Sequence, residues 1–180
     1  AALIECGVEF LNERELDEFS VAEVTHRLGY STGSFYSYFP DKTAFFIAVQ
    51  EWVNEDQIKI FMKTIETPEM AQKNLTERLS TCVDFALSYF RKHTGVIRSA
   101  VRYERRIPQG WAPNRATTQR LINTASTGLG VADRQRLEVA LQLAFGMLVN
   151  ALLHDPGPLR LGDKEMGPKI IMVLKPYLST

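Results

Sequence analysis

Between Ser20 and Lys42 the chain reads SVAEVTHRLGYSTGSFYSYFPDK, a stretch dense in hydroxyl groups. Ser20, Ser31, Thr32, Ser34 and Ser37 carry aliphatic hydroxyls, and Tyr30, Tyr36 and Tyr38 carry phenols. Such groups donate and accept hydrogen bonds without charge. They suit recognition of an oxygen-rich surface better than bond cleavage. No Ser/His/Asp or Cys/His set has a local context that would build a nucleophile, and no glycine-rich phosphate loop appears. His26, His93 and His154 lie far apart without i,i+4 partners, so no metal site and no cofactor are expected.

Two short helices must position these hydroxyls. Ser20-Val21-Ala22-Glu23 is a capping box, in which the hydroxyl and the carboxylate each satisfy an orphan backbone N–H, and it starts a helix over 20–28. Gly29 stops that helix and supplies the positive φ a tight turn needs. Ser31 caps a second short helix through Tyr38, Pro40 breaks it, and Asp41 caps a long helix from Lys42 to about Lys63. Val21, Val24 and Leu28 pack the first short helix, while Phe35 and Phe39, four residues apart, bury the second against it. Thr32, Gly33, Ser34, Tyr36, Ser37 and Tyr38 are left outside. This is a helix-turn-helix whose second member is small enough for a DNA major groove about 12 Å wide.

The rest of the chain reads as helices cut by turn residues. Helical periods run over 1–12, 72–92, 96–106, 114–127, 133–154 and 164–178, with Thr67-Pro68, His93-Thr94-Gly95, Ile107-Pro108-Gln109-Gly110 and Asp155-Pro156-Gly157-Pro158 between elements. The expectation is an all-α protein of about nine helices, with a DNA-binding domain over 1–46 and a helical bundle over 47–180. No strand pattern, repeat or low-complexity stretch stands out.

Hydrophobic residues make up 45% of the 180 and charged residues 23%, as in globular proteins. No membrane span is expected. The chain opens at Ala1 inside a helix-like pattern with no signal peptide, which suggests that residues precede it. Cys6 and Cys82 sit in apolar helical patterns and read as buried thiols in a cytoplasmic protein. Charge is unevenly distributed. Residues 1–50 hold three basic side chains against eight acidic ones, a net −5, and the remainder carries +5. Residues 91–120 hold eight Lys/Arg against Glu104 alone, with Arg98, Arg102 and Arg106 on one helical face. The favoured reading is a solvated face; attraction for an anionic effector is the sharper one.

The stretch Ser20-Val21-x-Glu23-Val24-x-x-x-Leu28-Gly29-Tyr30-Ser31-x-Gly33-Ser34-Phe35-Tyr36-x-Tyr38-Phe39-x-Asp41-Lys42 resembles the N-terminal signature of TetR-family regulators. The family pattern runs Thr-x-x-x-Ile-Ala, then Gly-Val-Ser-x-Gly-Thr-Leu-Tyr-x-His-Phe, then a Lys opening the fourth helix. Thr25 and Leu28 stand where the family has small alanines, and Tyr38 replaces its His. The resemblance implies a homodimer that binds a palindromic operator in double-stranded DNA, is released by a small-molecule effector and has no catalytic activity. Ser20, Tyr36, Tyr38 and Lys42 would hold phosphates, and Ser31, Thr32, Gly33, Ser34 and Ser37 would complete the contact, with Thr32, Gly33 and Ser34 toward base edges. It also implies an effector cavity over about 50–155, whose candidate lining is Phe61, Phe85, Tyr89, Arg102, Tyr103, Trp111, Phe145 and Met147, suited to a largely apolar ligand. Residues 133–154 are apolar on two faces. Together with the last helix they propose a dimer interface through Leu137, Leu141, Phe145, Leu148, Leu152, Ile170, Leu174 and Tyr177. The alternative is a helical ligand-binding or enzymatic bundle with a structural N-terminal hairpin.

Overall fold

The computed structural model describes residues 1–104, 106 and 112–179. Among them the chain is all-α: α1 (Ala2–Glu13), a 3-10 turn (Leu16–Glu18), α2 (Val21–Arg27), α3 (Thr32–Tyr36), α4 (Lys42–Ile65), α5 (Pro68–Gln72), α6 (Leu75–Lys92), α7 (Thr94–Tyr103), α8 (Ala112–Ala125), α9 (Val131–His154) and α10 (Met166–Leu178). The expected helices are present, and α5 is an addition. Its local cause is a cap: the Thr67 hydroxyl accepts from the Met70 amide at 3.2 Å, and Pro68 fills the first turn. The following helix then starts at Leu75, where Asn74 and Glu77 each accept the other's backbone N–H, at 3.0 and 2.9 Å.

The chain divides into two compact units. The first comprises 1–57 and 93–117, so the helix-turn-helix packs with the first part of α4, with α7 and with the start of α8. Leu3, Phe10, Leu16, Phe19, Val24, Phe35, Phe45 and Val49 form its core. Gly95 lets α7 lie against the end of α1, since a Cβ there would sit 1.9 Å from the Leu11 carbonyl oxygen. A polar seam is also buried in this unit. Gln50, Asn54 and Gln57 recur along one face of α4; the Asn114 amide donates to Gln50 Oε1 at 2.8 Å and accepts from Asn54 at 3.2 Å, and Gln57 lies 3.3 Å from a His93 ring nitrogen.

The second unit comprises 58–92 and 118–180. Here α6, α9 and α10 pack mutually around Leu79, Val83, Leu137, Leu148, Ile170 and Leu174. Arg78 is buried and fully engaged. Its guanidinium donates to the Ala71, Lys73, Ala125 and Thr127 carbonyls at 2.8–3.1 Å, which caps the end of α8. By length and composition alone α9 is apolar enough to cross a membrane, with a mean hydropathy of 1.5, contrary to the expectation that no segment would be. Packing accounts for one of its faces: Leu137, Ala140, Ala144, Leu148, Ala151 and Leu152 lie in the core of this unit.

Candidate nucleic-acid interface

The local rules that start and stop helices build the site. Ser20 Oγ accepts from the Glu23 amide at 3.2 Å, and the Glu23 carboxylate accepts from the Ser20 amide at 2.7 Å and from its hydroxyl at 2.9 Å. At the other end of α2 the Tyr30 amide reaches the Thr25 carbonyl at 2.8 Å and the Gly29 amide reaches His26 at 3.1 Å, a Schellman turn with Gly29 at φ 69°. Thr25 stands buried where a small residue was expected. It fits because its hydroxyl donates back to Val21 and Ala22 carbonyls, both at 3.1 Å.

One face of α3 is anchored by aromatic packing. Phe35 is fully buried, with its ring centroid 5.2 Å from Phe45 and 5.3 Å from Phe39. Thr32, Gly33, Ser34, Tyr36, Ser37 and Tyr38 are all exposed on the other side. Their hydroxyls are not equivalent. Ser31 Oγ lies 2.9 Å from Ser34 Oγ and accepts the Ser34 amide, and the Ser37 hydroxyl donates to the Ser34 carbonyl at 2.7 Å. Those three serines hold α3 in shape. Thr32, Tyr30, Tyr36 and Tyr38 have no such internal partner among the described residues and project outward, Tyr38 with 74% of its surface exposed.

The cations of residues 1–50 are engaged within the same unit. Arg14 pairs with Glu23 at 2.8 Å, and Arg27 with Glu13 at 3.1 Å while stacking 3.9 Å over the Phe10 ring. These pairs hold the Glu23 carboxyl down at about 2, through the Arg14 bond first and the Ser20 bonds second, and they lower Glu13 as well. The Lys42 ammonium is half-buried, donates to the Phe19 carbonyl and lies over the Phe19 ring; burial lowers its pKa. It is turned inward, whereas sequence reasoning placed it toward a phosphate. Asp41 caps α4 through the Ala44 amide at 2.8 Å.

Residues 3–49 match the family model described as bacterial regulatory proteins, tetR family. Over these residues the chain is similar to the TetR family. Solved structures agree on the fold. A putative TetR-family transcriptional regulator from Mesorhizobium loti superposes with a TM-score of 0.77 at 13% identity, covering 99% of this chain and 94% of that one. A TetR regulator from Rhodococcus sp. RHA1 gives 0.61 at 20%, covering 99% and 93%. The transcriptional regulator FadR from Bacillus subtilis, solved in complex with stearoyl-CoA, gives 0.67 at 14%, covering 96% of each chain. No curated protein sequence matches the chain.

The residues proposed for an effector fall into two groups. Phe61, Phe85, Tyr89, Phe145 and Met147 belong to the second unit. There Phe61 is buried with its ring 4.5 Å from Phe85, Phe145 lies edge-on to Phe90 at 5.4 Å, and burial raises the Tyr89 phenol. Arg102 and Tyr103 belong to the first unit and serve the helix-turn-helix. Arg102 pairs with Glu15 at 3.0 Å, Arg106 binds Asp17 at 2.9 Å, and burial first and the Asp17 carboxylate second raise the Tyr103 phenol. Trp111 lies outside the described residues. The basic stretch is exposed, as the favoured reading had it, and also paired: Arg102, Arg106 and Arg115 hold carboxylates, and Arg91 donates to the Leu161 and Asp163 carbonyls.

The residues proposed for dimerisation divide as well. Leu137, Leu148, Leu152, Ile170 and Leu174 are buried by the chain's own helices, which leaves them little surface for a second copy. Leu141 and Phe145 are half-buried and Tyr177 is exposed. The large apolar side chains exposed on α9 and α10 are instead Val131, Leu143, Met172, Val173 and Tyr177, with Gly146 facing open space. Sequence periodicity showed two apolar faces on α9 but could not say which of them the chain covers itself.

Proposed function

We propose that this protein is a transcriptional regulator that binds a palindromic operator as a homodimer, acts as a repressor in the cytoplasm, and is released by a small, largely apolar effector. The observation that carries the DNA reading is the exposed hydroxyl face of α3, held rigid by Phe35 behind and by the Schellman turn before it. The reading head is residues 1–46, and 47–180 carry sensing and dimerisation. Phe61, Phe85, Tyr89, Phe145 and Met147 are the proposed apolar contacts for the effector, and the stearoyl-CoA bound to the FadR relative supports an apolar ligand. The effector releases DNA by preferring the conformation whose reading helices no longer match both half-sites, since equal affinity for both states shifts nothing.

The dimer face is proposed on Leu143, Met172, Val173 and Tyr177, a patch of exposed apolar side chains on neighbouring helices. Val173→Glu should yield a folded monomer by sedimentation; a wild-type protein that is monomeric at micromolar concentration would remove the interface. The decisive test of function is a gel shift with the intergenic DNA around the protein's own gene. A retarded band dispersed by an apolar effector is expected. No band on any neighbouring DNA, with or without candidate effectors, would refute the reading.

A further inference from the structure

We infer that the helix-turn-helix of this chain recognises DNA by close, nearly uncharged contact, so that its affinity depends only weakly on salt. The inference rests on the DNA-binding reading above and specifies how that site meets its partner.

Two independent observations carry it. The first is the fate of charge. Residues 1–50 contain three cations, and each is engaged with an internal group: Arg14 on Glu23, Arg27 on Glu13, Lys42 on the Phe19 carbonyl. What α3 and the tyrosines beside it offer outward is neutral: Thr32 and the phenols of Tyr30, Tyr36 and Tyr38. These can donate to phosphate oxygens and touch base edges, and an uncharged donor releases no counterion when it does so.

The second is Gly33. It is exposed, its φ is not in the left-handed region, and a Cβ added there would meet only Ser31 Oγ, at an ordinary 3.6 Å. Neither the backbone conformation nor internal packing requires glycine at this place, although glycine weakens a helix. Gly29, four residues earlier, differs, because its φ of 69° demands it. A glycine that the chain itself does not need leaves room for an outside surface to approach the backbone of α3. Close approach is what short hydroxyls require, since Thr32 reaches only about as far as its own Oγ. Long cationic side chains would instead bridge a wider gap.

The test is a salt series. The chain is titrated onto a duplex selected from a random pool, with binding read by fluorescence anisotropy from 50 to 200 mM KCl. A site with six to ten phosphate-paired cations loses about 10³–10⁵ in affinity over that range. For residues 1–180 a loss of about tenfold is expected, since the helix-turn-helix of each protomer brings one cation, Lys42, to this face at a slope near −0.9 per cation. A hundredfold loss or more would overturn the inference and leave the DNA-binding reading intact. No binding at any salt would instead sink that reading. Gly33→Ala keeps the far-ultraviolet spectrum and should weaken binding about tenfold with the salt slope unchanged. Wild-type affinity in that variant would overturn the close-approach argument.

Discussion

Both units carry arginine–carboxylate pairs at the surface, as Arg134–Glu138 and Arg136–Asp133 do in the second, but among the described residues the buried arginine belongs to the second. In the first, Arg14, Arg27, Arg102 and Arg106 meet carboxylates at the surface; Arg106 keeps 73% of its side chain exposed. In the second, Arg78 is buried and meets four main-chain carbonyls. Surface ion pairs contribute little each and are screened by salt. A buried guanidinium bonded to carbonyls closes helix ends that would otherwise be left unpaired. The first unit therefore obtains its cohesion from its aromatic core and close backbone packing, and its ion pairs mainly neutralise the acidic head. The second unit adds to its apolar core a buried cation, Arg78, that ties helix ends together.

The strongest attempt to break this comparison is steric. Gly95→Ala drives a Cβ into the Leu11 carbonyl, so α1 and α7 must separate. A loss of about 4 kcal/mol is expected by urea denaturation. A near-neutral result would mean that backbone approach does not hold the first unit together. Next comes Arg78→Leu, which strips four carbonyls of their donor and should cost about 3 kcal/mol. If it is tolerated, the guanidinium does not tie the helix ends of the second unit together.

A smaller effect sharpens the contrast. Arg102→Ala should destabilise by less than about 1 kcal/mol, and 0.5 M KCl should reduce the difference between variant and wild type further. A change as large as that of Arg78→Leu would erase the distinction between the units. The smallest effect is a titration. Glu23 is held at about 2 against a usual 4.5, so its contribution is complete above pH 4.5 and is lost as pH falls from there through about 2. Thermal melts should show the wild type losing more stability than Glu23→Gln between pH 5 and 2. Parallel curves would show that the cap and its Arg14 pair do not hold α2.

The parts legible in the sequence were those decided locally. The Ser20–Glu23 box, the Gly29 turn, the Ser31 cap and the Asp41 cap each depend on residues three or four apart, and each appears at the expected place. The Thr67-Pro68 cap that begins α5 was equally local but read as a loop. Pairings across long separations were not legible. Nothing in the composition says that Arg106 will neutralise Asp17, 89 residues away. The same limit applies to Lys42, whose inward turn depends on the position of the Phe19 carbonyl, and to α9, whose two apolar sides are distinguished only once α6 and α10 cover one of them.

The polar seam along α4 acts as a set of registration marks. Gln50 and Asn54 share Asn114, and Gln57 meets His93, at intervals of one helical turn. An apolar stripe would let α4 creep along its neighbours in small increments at little cost. A row of amides does not, because a shift by part of a turn, a fraction of 5.4 Å, leaves donors and acceptors facing nothing in a place without water to receive them. Within its unit α4 therefore has discrete seats and no gradual slide.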